Sequence, residues 1–127
     1  MQNAKLKISG KKSVKVLVPA TSANLGPGFD CLGVALKLYN EVEMTIERGK
    51  SRGRDYQADL IEIEGEGVDI LPRDKSNLVY WSAKSVLNKL QITDYELRIK
   101  LHNRIPIAAG LGSSAAAIIG GLVAANR

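Results

Sequence analysis

The sequence predicts an α+β fold in which a mostly antiparallel sheet packs against helices. Apolar and polar residues alternate in several segments, as in half-buried strands, and two other segments have helical spacing or a run of small apolar residues. The chain has 127 residues, of which 45% are hydrophobic and 24% are charged. These values are typical of one globular domain with its own core.

Strands are predicted on both sides of a central helix. The first, "VKVLVPA", covers residues 14–20 and follows a loose basic arm over residues 1–12. We expect residues 31–64 to form antiparallel sheet, with two strands or one bent strand in its first half. The segment 95–106 has an apolar residue at every second position in its first half, so it is predicted to contain a half-buried strand.

Two helices are predicted. The segment 72–91 has an apolar stripe at a spacing of 3.6 residues, and Asp74 or Ser76 can cap its first turn. The second helix, residues 113–126, is apolar on all sides and rich in small residues, so we expect it to be buried against the sheet. The stripe of the first helix that we expect to face the core consists of Leu78, Trp81, Val86 and Leu90.

The composition excludes several classes of protein. The single cysteine, Cys31, excludes an internal disulfide framework, and the polar first residues lack the apolar segment of a signal peptide. The longest apolar run, residues 115–125, is about half as long as a membrane span. We therefore expect a soluble, cytoplasmic protein without a membrane partner. The net charge of +5 suits an anionic ligand such as a nucleotide, although such charges also form ordinary solvated surface.

One segment carries the strongest chemical signal. "PIAAGLGSSAAA", residues 106–117, places two glycines and two serines directly before the second predicted helix. Glycines let a ligand approach the main chain, and a helix N-terminus offers free N–H groups and a positive dipole end. The serines can cap the helix, donate to phosphate oxygens or bind Mg²⁺. The segment therefore favours either a phosphate-binding loop or an ordinary left-handed loop with a serine cap.

This segment closely resembles the second motif of the GHMP kinases, the superfamily of galactokinase, homoserine kinase, mevalonate kinase and phosphomevalonate kinase. That motif has a proline and three further residues before Gly-Leu-Gly-Ser-Ser-Ala-Ala. "VPATSANLGPGFDCLGVAL", residues 18–36, resembles the first motif of the homoserine kinase branch. The resemblance extends from Val14 to Asn126. It implies a two-lobed α+β kinase whose amino-terminal lobe is similar to the second domain of ribosomal protein S5.

The resemblance also implies an activity. The γ-phosphoryl group of ATP would be transferred to the side-chain hydroxyl of L-homoserine in threonine biosynthesis, with Mg²⁺ as cofactor. Residues 1–127 would form the amino-terminal, ATP-binding domain of an enzyme that is a homodimer at full length and binds no nucleic acid. Because kinases of the family are much longer, we expect the chain to be an incomplete part that is inactive alone.

Individual roles are implied position by position. Asn24 would be a catalytic and substrate-binding residue near the homoserine hydroxyl, and Asp30 would pair with the homoserine ammonium group. Ser114 would be a catalytic residue that helps to hold Mg²⁺, and Asn77 matches a position near the adenine. The residues implied to contact the nucleotide are Asn77, Pro106, Ile107, Ala108, Ala109, Gly110, Leu111, Gly112, Ser113, Ser114, Ala115 and Ala116.

Alternatives remain open for these residues and for the function. Asn24 and Asp30 could instead shape the glycine-proline turn through side-chain hydrogen bonds to the backbone. His102 is predicted to be a surface residue or one whose hydrogen bonds are satisfied, and Cys31 to be a small packed residue. The other functions are a GHMP kinase for another small alcohol and an S5-like module that binds RNA.

Overall fold

The computed structural model describes residues 10–22, 33–49 and 59–127, which form a four-stranded sheet and two helices. The predicted α+β class with a mostly antiparallel sheet is confirmed. The elements in chain order are β1 (Lys11–Ser22), β2 (Val34–Arg48), β3 (Asp59–Gly65), α1 (Leu78–Lys89), β4 (Tyr95–Asn103) and α2 (Ser113–Asn126).

The strand order of the sheet is β1-β2-β4-β3. β1 and β4 both pair with β2 in the antiparallel sense, whereas β3 pairs with β4 in parallel. The prediction of antiparallel sheet over residues 31–64 is therefore wrong for β3. Parallel neighbours need a long crossover connection, and α1 lies within the connection that leads from β3 to β4.

The first two strands differ from the predicted limits. β1 already begins at Lys11, where its pairing with Glu47 of β2 starts, so residues 11 and 12 do not belong to a loose arm. Gly10 precedes the strand, and residues 1–9 of the predicted arm lie outside the described residues. β2 is a single strand of 15 residues. Of the two predicted alternatives, two strands or one bent strand, the single strand is therefore the correct one.

The core lies between one face of the sheet and the two helices. Alternate residues of β2, β3 and β4 point to this face, as the period of two predicts for a half-buried sheet. Leu97, Ile99 and Leu101 are almost completely buried, as the alternation in β4 predicts. The buried cluster consists of Val42, Met44, Ile61, Ile63, Val79, Tyr80, Ala83, Leu87, Leu97, Ile99, Leu101 and Ala124.

Helix α1 uses a different apolar face from the predicted one. Its buried face carries Val79, Ala83 and Leu87, whereas Trp81 is 59% exposed. The predicted core role of Trp81 and its stripe is therefore wrong. Apolar residues occupy both sides of the first turn, so periodicity alone allows two orientations. Contact with α2 selects one of them, because a Cβ on Gly121 would collide with atoms of α1.

Small residues let α2 pack closely against its neighbours. A Cβ on Gly120 would lie 2.7 Å from Cγ2 of Val42, so only glycine allows this approach to the sheet. The predicted burial of this helix is confirmed for the face that carries Ala116, Gly120 and Ala124, whereas Ile119 is 49% and Leu122 is 39% exposed on the opposite side. No helix in the described part of the chain is both long enough and apolar enough to cross a membrane.

Candidate functional site

The residue before α2 is a glycine, which has no side chain that could cap the helix. The residue before the helix, Gly112, has a left-handed backbone with φ of +74°, and its carbonyl oxygen accepts the first helical hydrogen bond from the amide of Ala116 at 2.8 Å. The alternative in which a serine caps the helix is therefore wrong. Because the first-turn N–H groups of an α-helix have no partner within the helix, such groups can bind an anion. Both Ser113 and Ser114 lie in this first turn.

The backbone of the preceding loop alternates in handedness. Ala108, Gly110 and Gly112 have φ of +58°, +70° and +74°, whereas Ala109 and Leu111 have negative φ. Alternation of this kind is the pattern in which successive N–H groups form an anion-binding concavity. The loop and the helix N-terminus are therefore two neighbouring backbone features that both favour an anionic ligand.

Two contacts hold this loop to the sheet. The amide of Thr21, at the end of β1, donates to the carbonyl oxygen of Leu111 at 2.9 Å. On the other side, Oδ1 of the buried Asn40 accepts from the amides of Arg104 at 2.8 Å and Ile105 at 2.9 Å. These bonds fix both ends of the segment that leads from β4 to α2.

A cleft of about 100 Å³ lies beside the start of α2 and next to α1. Ser113, Ser114 and Ala116 contribute to its wall together with Ile107 and Asn77, so the cleft combines residues from two predicted parts of the nucleotide site. Among the described residues that line it, none carries a charge. Its polar groups are the amides and hydroxyls of Asn40, Ser76, Asn77, Asn103, Ser113 and Ser114.

Asn77 already has a structural role as the N-cap of α1. Its Oδ1 accepts from the amides of Val79 at 3.0 Å and Tyr80 at 3.4 Å, and its Nδ2 donates to the carbonyl oxygen of Pro72 at 2.8 Å. The side chain is 3% exposed. The cap predicted at Asp74 or Ser76 is therefore wrong, since these two bond to each other instead. A contact of Asn77 with adenine stays a prediction.

The remaining predicted site residues divide into two groups. Asn24 and Asp30, together with Cys31, lie outside the described residues. The others belong to the loop and first turn described above, although they do not line the cleft; they are Pro106, Ala108, Ala109, Gly110, Leu111, Gly112 and Ala115.

His102 is one of the residues whose predicted state is confirmed. It lies in β4, and its Nδ1 is 2.9 Å from Oε2 of Glu64. Of the two predicted states, a surface residue or one with satisfied hydrogen bonds, the second is confirmed, because this distance is that of a hydrogen bond.

Sequence reasoning missed two residues that position the loop, Thr21 and Asn40. A signal existed for Asn40, because asparagine is uncommon in strands and this one lies within an apolar, alternating segment. Thr21 gave no comparable signal, because its contribution is a backbone amide that any residue except proline supplies.

Comparisons with known proteins find relatives with a similar fold, and their matched segments include the loop before α2. Residues 77–127 match the family model described as "GHMP kinases N terminal domain". The homoserine kinase of Caldanaerobacter subterraneus subsp. tengcongensis is 52% identical over 116 residues, which are 90% of this chain and 34% of that protein. The homoserine kinase of Carboxydothermus hydrogenoformans is 51% identical over 113 residues, 89% of this chain and 34% of that protein.

A solved structure shows the same relationship. The crystal structure of homoserine kinase from Cytophaga hutchinsonii superimposes with a TM-score of 0.73 at 34% identity and covers 90% of this chain and 34% of that one. The chain thus spans about a third of the length of the relatives that it matches. Because the matched segment includes the loop at 106–112 and helix α2, the similarity covers the candidate site itself. In sequence and in fold, the chain is thus similar to the amino-terminal part of GHMP kinases.

Proposed function

We propose that this chain is the ATP-binding part of a homoserine kinase, which transfers the γ-phosphoryl group of ATP to the hydroxyl of L-homoserine. The observation that carries the proposal is the uncapped start of α2 behind a loop of alternating handedness. Phosphoryl transfer requires positioning and neutralisation of charge more than covalent chemistry, and these backbone groups supply both. The names of the relatives give the acceptor, L-homoserine.

The phosphates of ATP would lie against Gly110–Ser114. The first-turn amides and the positive end of α2 would neutralise phosphate charge, and the hydroxyls of Ser113 and Ser114 would donate to phosphate oxygens. The adjoining cleft, next to Asn77, would hold part of the nucleoside. Since its lining is uncharged, it suits a neutral base better than a phosphate.

The donor set fits Mg²⁺ only in part. Ser114 provides one hard oxygen ligand, which Mg²⁺ accepts, and the bound phosphates would provide others. The described lining of the cleft contains no carboxylate, so an acidic ligand of the ion would come from residues outside this lining. When bound, Mg²⁺ would neutralise the phosphate oxygens during transfer.

Homoserine would bind at the first motif, next to the phosphate loop. Asn24 would orient the hydroxyl, and Asp30 would pair with the ammonium group. The position of β1 supports this arrangement. Thr21 bonds directly to Leu111 of the loop, and Asn24 follows three residues later, which is at most about 11 Å of extended chain. A homodimer and a cytoplasmic location complete the proposal.

A chimera tests the substrate. In it, this chain replaces the matching third of the Caldanaerobacter homoserine kinase, and release of ADP is measured with Mg·ATP and either homoserine, mevalonate or galactose. We expect turnover that depends on homoserine alone. A folded chimera that phosphorylates one of the other alcohols would assign the chain to a different branch of the family, and a folded chimera without ADP release would contradict the proposal.

The role of Asp30 is tested in the same chimera. Loss of a hydrogen bond to a charged group costs about 1.5–3 kcal/mol, or roughly ten- to a hundred-fold. We expect Asp30→Ala to lower kcat/KM for homoserine by that factor while the affinity for ATP stays within about twofold, and Asp30→Asn to lower it similarly. If kcat/KM for homoserine hardly changes, Asp30 only shapes the turn.

A further inference from the structure

The face of the sheet away from the helices carries a row of ionisable side chains. In the register of the strands, His102 of β4 lies directly opposite Glu41 of β2 on one side and Glu64 of β3 on the other. Glu43 lies two residues from Glu41 and therefore points to the same face. The histidine is thus flanked by carboxylates from two neighbouring strands.

The contact with Glu64 orients the imidazole of His102. A carboxylate only accepts hydrogen bonds, so Nδ1 of His102, 2.9 Å from Oε2 of Glu64, carries a proton. In the neutral ring the lone pair is then on Nε2, which is 3.8 Å from Oε1 of Glu41. Two atoms with lone pairs face each other across a gap that a cation would bridge.

We propose that Glu41, Glu43 and His102 form a binding site for a divalent transition-metal ion such as Zn²⁺. One nitrogen and two carboxylate oxygens of these residues lie within 4.8 Å of one another. Atoms bonded to one tetrahedral zinc ion are separated by about 3.4 Å, given bonds of about 2.1 Å, so small rotations of the side chains would complete the coordination. Nitrogen and oxygen ligands with water in the fourth position suit zinc.

Further features of the cluster fit this assignment. All three ligand residues are half-buried, which restricts their rotamers before the ion arrives. Glu64 holds the second ring nitrogen, as carboxylates do beside histidine ligands of zinc, so it is a positioning residue. The imidazole also makes the site unsuitable for Mg²⁺, which prefers oxygen ligands alone. The proposal is therefore independent of phosphoryl transfer and of its metal.

Lys15 competes for the same carboxylate. Its Nζ lies 3.2 Å from Oε1 of Glu41, so an incoming ion must displace this ammonium group. Removal of Lys15 should therefore strengthen metal binding, whereas removal of a ligand should weaken it. Opposite effects of two substitutions at neighbouring positions would not arise from a general loss of structure.

The experiment is a calorimetric titration of the 127-residue chain with Zn²⁺ in the presence of excess Mg²⁺. All proteins carry Cys31→Ser, because a thiolate is also a zinc ligand. We expect one ion per chain, at least tenfold weaker binding in His102→Gln and Glu43→Gln, about ten- to a hundred-fold weaker binding in Glu64→Ala, and tighter binding in Lys15→Met. Glu62→Gln, on the same face but outside the cluster, is the matched control and should bind as the parent does.

A spectroscopic readout identifies the ligand atom. His102 is the only histidine of the sequence, so its imidazole ¹⁵N signals are unambiguous. Zinc should shift the Nε2 signal and leave Nδ1 protonated. Binding that is unchanged in His102→Gln, or an imidazole that does not respond to zinc, would overturn the proposal and show that the cluster is only a network of ion pairs.

Discussion

The amide of Thr21 donates a hydrogen bond of 2.9 Å to the carbonyl oxygen of Leu111, and this bond joins the end of β1 to the loop before α2. Next to it, Gly112 approaches the Thr21 side chain so closely that an added Cβ would collide with the threonine hydroxyl. The strand that leads into the first motif and the loop of the second motif are therefore held together at one point. The geometry of the proposed phosphate site depends on this contact.

The two glycines of the loop allow a matched comparison. Both have positive φ, so alanine costs about 1 kcal/mol or more at either position. Among the described residues, no atom lies within 4 Å of a Cβ placed on Gly110, whereas a Cβ on Gly112 would collide with Thr21. We expect Gly112→Ala to lower the free energy of unfolding by about 1–3 kcal/mol more than Gly110→Ala does, measured by denaturation in urea.

A second substitution separates the collision from the strain of the backbone. Thr21→Ala removes the hydroxyl that the new Cβ would meet, so the double variant Thr21→Ala/Gly112→Ala should be about as stable as Thr21→Ala/Gly110→Ala. Equal stabilities of the two single glycine variants would mean that the close contact at Gly112 does not restrict the loop.

Asn40 is expected to hold the beginning of the loop. Its Oδ1 is the acceptor for two amides, of Arg104 and Ile105, and the side chain is 5% exposed. Asn40→Leu leaves both amides without this acceptor, at a cost of about 1–3 kcal/mol for each that stays buried. Asn40→Asp keeps an acceptor and serves as the control. Hydrogen exchange should accelerate at these two amides in the leucine variant, and unchanged exchange would show that Asn40 does not hold the loop.

The fold class and the glycine-rich loop before α2 were predictable from the sequence because each depends on local patterns. The alternation in β4 and the order of glycines and serines before α2 are independent of distant contacts. The parallel pairing of β3 and the orientation of α1 are not local. Both depend on contacts between distant parts of the chain. Gly121 of α2, for example, packs against the face of α1 that lies opposite the exposed Trp81. The roles of Thr21 and Asn40 also arise only when the chain is folded.

Tyr80 makes the stability of the folded protein decrease at alkaline pH. Its hydroxyl donates to Oδ2 of Asp59 at 2.6 Å, and burial together with this carboxylate raises the pKa of Tyr80 to about 12 from an ordinary value of 10.0. Because the pKa is raised in the folded state, the contribution to stability is complete below pH 10 and is lost as the pH rises to about 12.

The variant Tyr80→Phe tests this contribution. It should be less stable than the parent at pH 8 by about 1.5–3 kcal/mol, the range for a hydrogen bond to a charged group, and the difference should shrink between pH 10 and 12. Thermal unfolding at several pH values measures it. A difference that is constant up to pH 12 would contradict the raised pKa.

The 127-residue chain alone should not catalyse phosphoryl transfer. The described lining of its cleft provides hydroxyl and amide groups but no carboxylate for Mg²⁺, and the chain spans about a third of the length of its relatives. Release of ADP with homoserine and Mg·ATP is the measurement. Turnover of about 1 per second or more would show that these residues hold a complete site.

The central claim is that the phosphates of ATP bind at the loop and first turn of α2. With a mass of 13.7 kDa, the chain is suitable for amide NMR spectroscopy during titration with a non-hydrolysable ATP analogue and Mg²⁺. We predict that the largest shifts occur at the amides of Gly110–Ser114, that residues beside the cleft such as Asn77 respond less, and that the open face of the sheet around His102 does not respond. Saturable shifts that are confined to other surfaces, with the amides of Gly110–Ser114 unchanged, would contradict the claim.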